Sequence, residues 1–214
     1  MELGLYTDSL ADLDRAAVLD VAARIGATAI EIAAGGQSSA PHLDRADLLA
    51  SADARARLLG DIGHRGLRLA ALNCSAWLLH PRTGDAQRQI VEETFRLAEM
   101  LGVSTVVTMS GCPGDGPGAT TVNWPTYAWP EELLDLHRRQ WDEMLELWRG
   151  LAPLAADHGV RVALELHPLQ LVFNVPTLIE LRTAVGDTVG ANLDASHLFW
   201  QGMDPLAVIR ALGP

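Results

Sequence analysis

One unit recurs along this chain and constrains its fold more than any other feature: an amphipathic helix that ends at a glycine, followed within a few residues by a short apolar or β-branched strand. It reads as Arg24-Ile25-Gly26-Ala27-Thr28-Ala29-Ile30-Glu31-Ile32, then as Arg65-Gly66-Leu67-Arg68-Leu69, Leu101-Gly102-Val103-Ser104-Thr105-Val106-Val107 and His158-Gly159-Val160-Arg161-Val162-Ala163-Leu164-Glu165. A weaker fifth copy is Val185-Gly186-Asp187-Thr188-Val189-Gly190-Ala191-Asn192. Glycine suits each helix end because it adopts the left-handed conformation without a Cβ clash. The nearly continuous apolar runs Thr105 to Met109 and Val160 to Leu166 suit parallel strands covered on both faces, since a half-exposed antiparallel strand would alternate.

The pattern predicts strands near 2–6, 28–32, 67–72, 103–109, 160–166 and 189–194, and helices near 11–25, 45–64, 85–101, 131–158, 176–185 and 204–212. Asp204 followed by Pro205 makes a good helix start, a capping carboxylate before a residue tolerated in the first turn. Six βα units imply an α/β fold, a TIM (β/α)8-type barrel in a single domain over residues 1–214. A closed barrel has eight strands and typically about 250 residues, so the domain is expected to be C-terminally incomplete. An open doubly wound sheet is the alternative, but no Gly-x-Gly-x-x-Gly follows the first strand. The Gly-, Pro-, Thr- and Trp-rich insertion at 111–130 follows the fourth strand, where such loops are functional or mobile.

Composition narrows the chemistry. With 214 residues, 49% of them apolar, the chain can bury a sizeable core. All 16 basic residues are arginine, which leaves no Schiff-base lysine, no lysine-bound pyridoxal phosphate and no Walker phosphate loop. A formal charge of −11 opposes general affinity for nucleic acid or anionic membranes. No apolar run reaches the roughly 18 residues of a membrane span, and no signal or lipid motif opens the chain. Two cysteines, Cys74 and Cys112, neither require nor exclude a disulfide, and a reduced cytoplasmic setting is expected.

In a barrel of this type catalytic groups close the strands at their C-terminal ends. The polar residues there are Tyr6 and Asp8, Glu31, Asn73, Ser110, Glu165 and His167, and Asn192, Asp194 and His197. A carboxylate such as Glu165 at the end of a buried strand is costly unless paired or bound to metal. Asp194 closes the next strand, and two such carboxylates repel unless a cation lies between them. A divalent metal held by Glu165 and Asp194 follows, with Mn²⁺, Mg²⁺, Co²⁺ or Zn²⁺ all compatible with oxygen donors and some imidazole. His167, two residues past Glu165, points the same way on an extended strand and is a candidate general base, substrate donor or ligand. His197 is placed for substrate or metal contact. Asn73 opens the loop Asn73-Cys74-Ser75-Ala76-Trp77-Leu78-Leu79-His80-Pro81, where His80 and Asn73 are candidate substrate contacts and Trp77 either covers a sugar face or packs. Glu31 is either a substrate contact or half of an ion pair. His42, His64, His137 and His158 read as solvated surface residues.

The stretches Leu164-Glu165-Leu166-His167-Pro168 with Asn174, and Asn192-Leu193-Asp194-Ala195-Ser196-His197 with Gly202, Asp204 and Pro205, resemble the xylose isomerase-like TIM-barrel superfamily of sugar phosphate isomerases and epimerases. The resemblance implies a metal site built from a Glu on strand five and an Asp on strand six, matching Glu165 and Asp194, completed by a His on strand seven and a Glu on strand eight beyond Pro214. It implies proton transfer next to a carbonyl through an enediolate, with Glu165 sharing the proton work and His197 gripping a substrate oxygen. In relatives that eliminate an aglycone from 3-keto-glycosides, a histidine just after the strand-five Glu is the base, the position of His167.

The expected function is therefore a metal-dependent sugar isomerase or epimerase acting on a small sugar or sugar derivative, with lyase or dehydratase chemistry as the near alternative. An abasic-site endonuclease would need more histidine ligands and a basic DNA-facing surface. A non-catalytic sugar-binding barrel is the third reading. The insertion at 111–130 fits a bulky or aromatic substrate or a homo-oligomer contact.

Overall fold

The computed structural model describes residues 2–127 and 129–213. Six strands form one parallel sheet in sequential order: β1 (Gly4–Tyr6), β2 (Ala29–Ala33), β3 (Arg68–Asn73), β4 (Thr105–Thr108), β5 (Arg161–Glu165) and β6 (Val189–Asn192). Between and after them lie α1 (Arg15–Arg24), α2 (Arg45–Ala50), α3 (Ala52–Gly63), α4 (Gly84–Leu101), α5 (Glu131–Asp157), α6 (Val175–Val185), α7 (Ala195–Phe199) and α8 (Pro205–Leu212), with a one-turn 3₁₀ helix at Thr7–Leu10. This is the expected α/β architecture of a partial TIM barrel.

Each strand lies within a residue or two of its expected span. The helices need three corrections. The 3₁₀ turn at Thr7–Leu10 lies just before the span 11–25, and α1 begins only at Arg15, where Asp14 caps Ala17 N. The span 45–64 is two helices, because Ser51 is extended (φ −122°, ψ 114°) and its hydroxyl caps Ala54 N. The short helix α7 falls in a stretch expected to be loop.

The core lies between the sheet and its helices. Trp148 and Met144 of α5 and Phe95 of α4 are completely buried. The Trp148 indole also donates to Ser110 O at 2.9 Å, so the longest helix is pinned to the chain just past β4. A buried aromatic of this kind contributes a few kcal/mol when its N–H is also satisfied, as here. Helix α4 ends where Gly102 turns left-handed (φ +69°), the local event that the repeated glycine announced.

Two details bear on the C-terminal mouth of the sheet. The β2–β3 register slips between Ile30 and Glu31, which pair with Leu69 and Ala71, so Ala70 is an extra residue beside Glu31. Beyond β2, Gly36 (φ +82°) brings the backbone so close to the loop after β3 that a Cβ there would lie 2.4 Å from Ser75 O.

The histidine reading is partly overturned. His42 is buried, with Nε2 donating to Leu13 O at 2.9 Å, because the loop before α2 folds back onto α1. His158 Nδ1 pairs with Glu99 at 2.7 Å, and His137 stacks on Trp141, while His64 is exposed. Both cysteines are free and buried, and burial pushes each thiol up to about 12. Among the described residues no helix is long and apolar enough to cross a membrane.

Candidate active site

Glu165 closes β5 and the chain turns at once. His167 N donates to Glu165 O at 2.9 Å, and His167 Nδ1 lies 2.6 Å from Pro168 O. A carbonyl oxygen only accepts, so Nδ1 carries the proton and a neutral His167 keeps its free lone pair at Nε2. Leu169 then adopts φ +63°, a left-handed conformation that costs a non-glycine residue about 1–3 kcal/mol. The next residues hold it there. Fully buried Gln170 accepts from Gly111 N at 2.7 Å, Leu171 N donates to Gly111 O at 3.1 Å, and Val172 N donates to Ser110 Oγ at 2.9 Å. The loop after β5 is thus locked onto the end of β4.

Asn192 of β6 pairs in register with Glu165, which brings the next segment alongside. Asp194 caps α7: its Oδ1 accepts from Ser196 N at 2.8 Å, and its Oδ2 faces His197 Nε2 at 3.7 Å. That same nitrogen lies 3.1 Å from Glu165 Oε1. One donor atom from each of Glu165, Asp194 and His197 lies within 4.8 Å of the other two. The His167 and His197 rings meet edge to face with centroids 4.4 Å apart. Hydrogen bonding from Ser196, supported by the nearby His197 and His167, holds the Asp194 carboxyl below the usual aspartate range despite partial burial.

The donor set fits a divalent cation. Two carboxylates and an imidazole are borderline-hard oxygen and nitrogen ligands. Adjacent ligands with bonds of roughly 2.1 Å stand about 3 Å apart around one ion. The 3.1 and 3.7 Å separations are close to that spacing.

Glu31 and Asn73 form a second polar element. Asn73 Nδ2 donates to Glu31 Oε1 at 2.7 Å, while Asn73 Oδ1 accepts from the amide and hydroxyl of Ser75. Burial raises the Glu31 carboxyl above the ordinary glutamate range; the Asn73 hydrogen bond opposes this and the Glu165 charge reinforces it. Tyr6 is raised as well, first by burial and then by Asp8, Glu31 and Glu165, which places all of these groups around one space at the strand ends.

Of the sequence-derived candidates, Glu165, His167, Asp194 and His197 therefore form one cluster, and Glu31 and Asn73 form a pair facing the same space. Trp77 and His80 lie together in the loop after β3, with ring centroids 6.3 Å apart; the Trp77 backbone N–H donates to Gln87 Oε1 and His80 Nδ1 accepts from Arg82 N. The sequence reading passed over Gln170 and Gln37, whose amide reaches from the loop after β2 to Met109 Sδ at 3.4 Å. A glutamine in a loop carries no local pattern; only the meeting of distant βα loops gives it a partner.

Comparison with known proteins agrees with this fold. Residues 19–214 match the family model described as xylose isomerase-like TIM barrel. The chain is 42% identical over 218 residues to the uncharacterized protein YfiH of Bacillus subtilis (strain 168), across all of this chain and 70% of that one. Its fold is similar to that of the probable 3-DHS dehydratase AsbF from Bacillus anthracis, at a TM-score of 0.73 and 19% identity over 99% of this chain and 69% of the other. It is also similar to D-psicose 3-epimerase from Clostridium cellulolyticum H10, at 0.64 and 17% over 100% and 70%. Sequence pattern, sheet topology and the family match converge, and the chain belongs to the xylose isomerase-like TIM-barrel family.

Proposed function

We propose that this protein is a divalent-metal-dependent enzyme of the isomerase or epimerase type, moving a proton on the carbon next to a carbonyl of a small keto-sugar or related polyol. The observation that carries the reading is the convergence of Glu165, Asp194 and His197 from two neighbouring strand ends onto donor separations suited to one cation. Glu165 and Asp194 are the residues that would hold the metal, which when bound supplies Lewis-acid polarisation of a carbonyl oxygen. His197 Nε2 either joins them or grips a substrate oxygen. His167 is the candidate base: Pro168 O fixes its tautomer, so Nε2 can accept a proton from carbon while the bonding pair moves toward the carbonyl oxygen. Glu31, biased toward its protonated form by burial, can donate to a substrate oxygen while Asn73 holds it in place. Trp77 and His80 are proposed as outer substrate contacts from the loop after β3.

Likeness to both an epimerase and a probable dehydratase supports a second reading on the same residues. If the proton taken by His167 is followed by departure of a β-hydroxyl or other leaving group, the outcome is elimination rather than epimerisation. Incubation of the purified protein with Mn²⁺ and D-fructose or D-psicose in D₂O tests the proposal: deuterium at the carbon next to the carbonyl, dependent on metal and on His167, is the expected result. No exchange into these or other keto-sugars, with no metal bound, sinks it.

A further inference from the structure

Three consecutive βα loops each contribute one aromatic ring to the same rim. Trp124 comes from the loop after β4, Phe173 from the loop after β5 and Trp200 from the end of α7. Phe173 stands at 86° to Trp124 with centroids 5.1 Å apart, and Trp200 at 70° and 6.2 Å. Rings set nearly at right angles make a corner, which offers an incoming ring one face and one edge, the two favoured aromatic geometries. Trp200 leaves 53% of its surface exposed although its large apolar body would gain by being covered. Phe173 also walls a neighbouring apolar cleft with Pro125, Tyr127 and His137, so its surroundings beyond the corner are apolar as well.

The corner is tied to the reaction centre. His197 and Trp200 are three residues apart across the end of α7, a spacing that makes side chains neighbours on a helix. Gln201 Nε2 donates both to His197 O at 2.8 Å and to Phe173 O at 3.1 Å, tying the backbones that carry the imidazole and the aromatic wall to each other. Among the described residues no arginine hydrogen-bonds or ion-pairs with Glu165, His167, Asp194 or His197, and the chain has no lysine. Among the described residues, the side chains beside the centre therefore present ring faces rather than cations.

The geometry points to a substrate in which the reacting polyol carries a planar apolar or aromatic group, seated in the corner of Trp124, Phe173 and Trp200. This inference rests on the reading of Glu165, Asp194 and His197 as the reaction centre, and deepens it by naming the substrate class.

Calorimetric titration of the full chain with phenyl β-D-glucopyranoside and methyl β-D-glucopyranoside tests it. The phenyl compound is expected to bind about tenfold more tightly, the weight of one aromatic contact with its buried area. Trp200→Ala, at an exposed position, should remove that preference, and Phe173→Leu should reduce it if Trp200→Ala fails to fold. Equal affinities, or a preference unchanged in both variants, overturn the inference. A shift in oligomeric state in Trp200→Ala with no change in preference gives the corner to a second copy and also overturns it. Metal content, measured separately in the same preparations, judges the reaction centre: a preference that persists in metal-free protein leaves the corner standing while the metal reading falls.

Discussion

His197 Nε2 lies 3.1 Å from Glu165 Oε1, joining residues 32 positions apart through the pairing of β5 with β6. A hydrogen bond and a pair of metal ligands have nearly the same separation here, which suits the proposed cation. Glu165→Gln and Asp194→Asn should each weaken Mn²⁺ binding by more than the roughly 10- to 100-fold typical of losing a partner outside the ligand shell. Titration calorimetry and elemental analysis check this. Unchanged metal affinity in both variants removes the centre from the proposal.

His167→Gln should separate chemistry from metal binding. Its ring touches the cluster through His197 but its Nδ1 is committed to Pro168 O. Exchange of the substrate proton with solvent is expected to fall roughly 10²- to 10⁴-fold, while metal content stays at the wild-type value. Loss of both together would assign His167 to the ligand set instead.

Glu31 makes stability depend on pH in a stated direction. Its folded pKa is raised, chiefly by burial, so its contribution is fully present below the ordinary glutamate range and is lost as pH rises through the raised value. Glu31→Gln keeps an oxygen to accept from Asn73 Nδ2 and cannot ionise. Urea titrations from pH 4 to 8 should show the variant gaining on the wild type as pH increases. A constant difference across that range contradicts the sign.

Gln170 supports the site from a distance. Gln170→Leu fills similar space but leaves Gly111 N buried without its acceptor, which should cost about 1–3 kcal/mol in unfolding free energy. Hydrogen exchange should quicken at Gly111 and through residues 167–172 if the two loops depend on this bond. Protection unchanged at Gly111 would mean that another group already satisfies it.

The sheet was legible because its signals are local. A glycine at a helix end and an apolar run after it are written within a few residues of each other, and Gly102 before Thr105 is both the pattern and the event. The clustering of Glu165, His167, Asp194 and His197 was legible at one remove, since parallel strands of similar length put successive strand ends side by side. What stayed hidden depends on meetings between loops. Ser51 followed by Asp53 can start a helix, but a serine among alanines and leucines can equally sit inside one, and only the extended backbone at that residue decides. His42 looked solvated because its burial comes from Leu13, 29 residues away. The aromatic corner joins positions 124, 173 and 200, a relation that no periodicity records.

Asp194 uses its two oxygens for different purposes: Oδ1 starts α7 and Oδ2 faces His197. Sequence drift at this position is therefore constrained twice. Glutamate would preserve the charge and displace the cap, and asparagine would preserve the cap and lose the charge. Only aspartate satisfies both, so lineages descending from this protein can abandon the proposed cation without losing the helix, by way of asparagine, whereas by way of glutamate they risk the helix first.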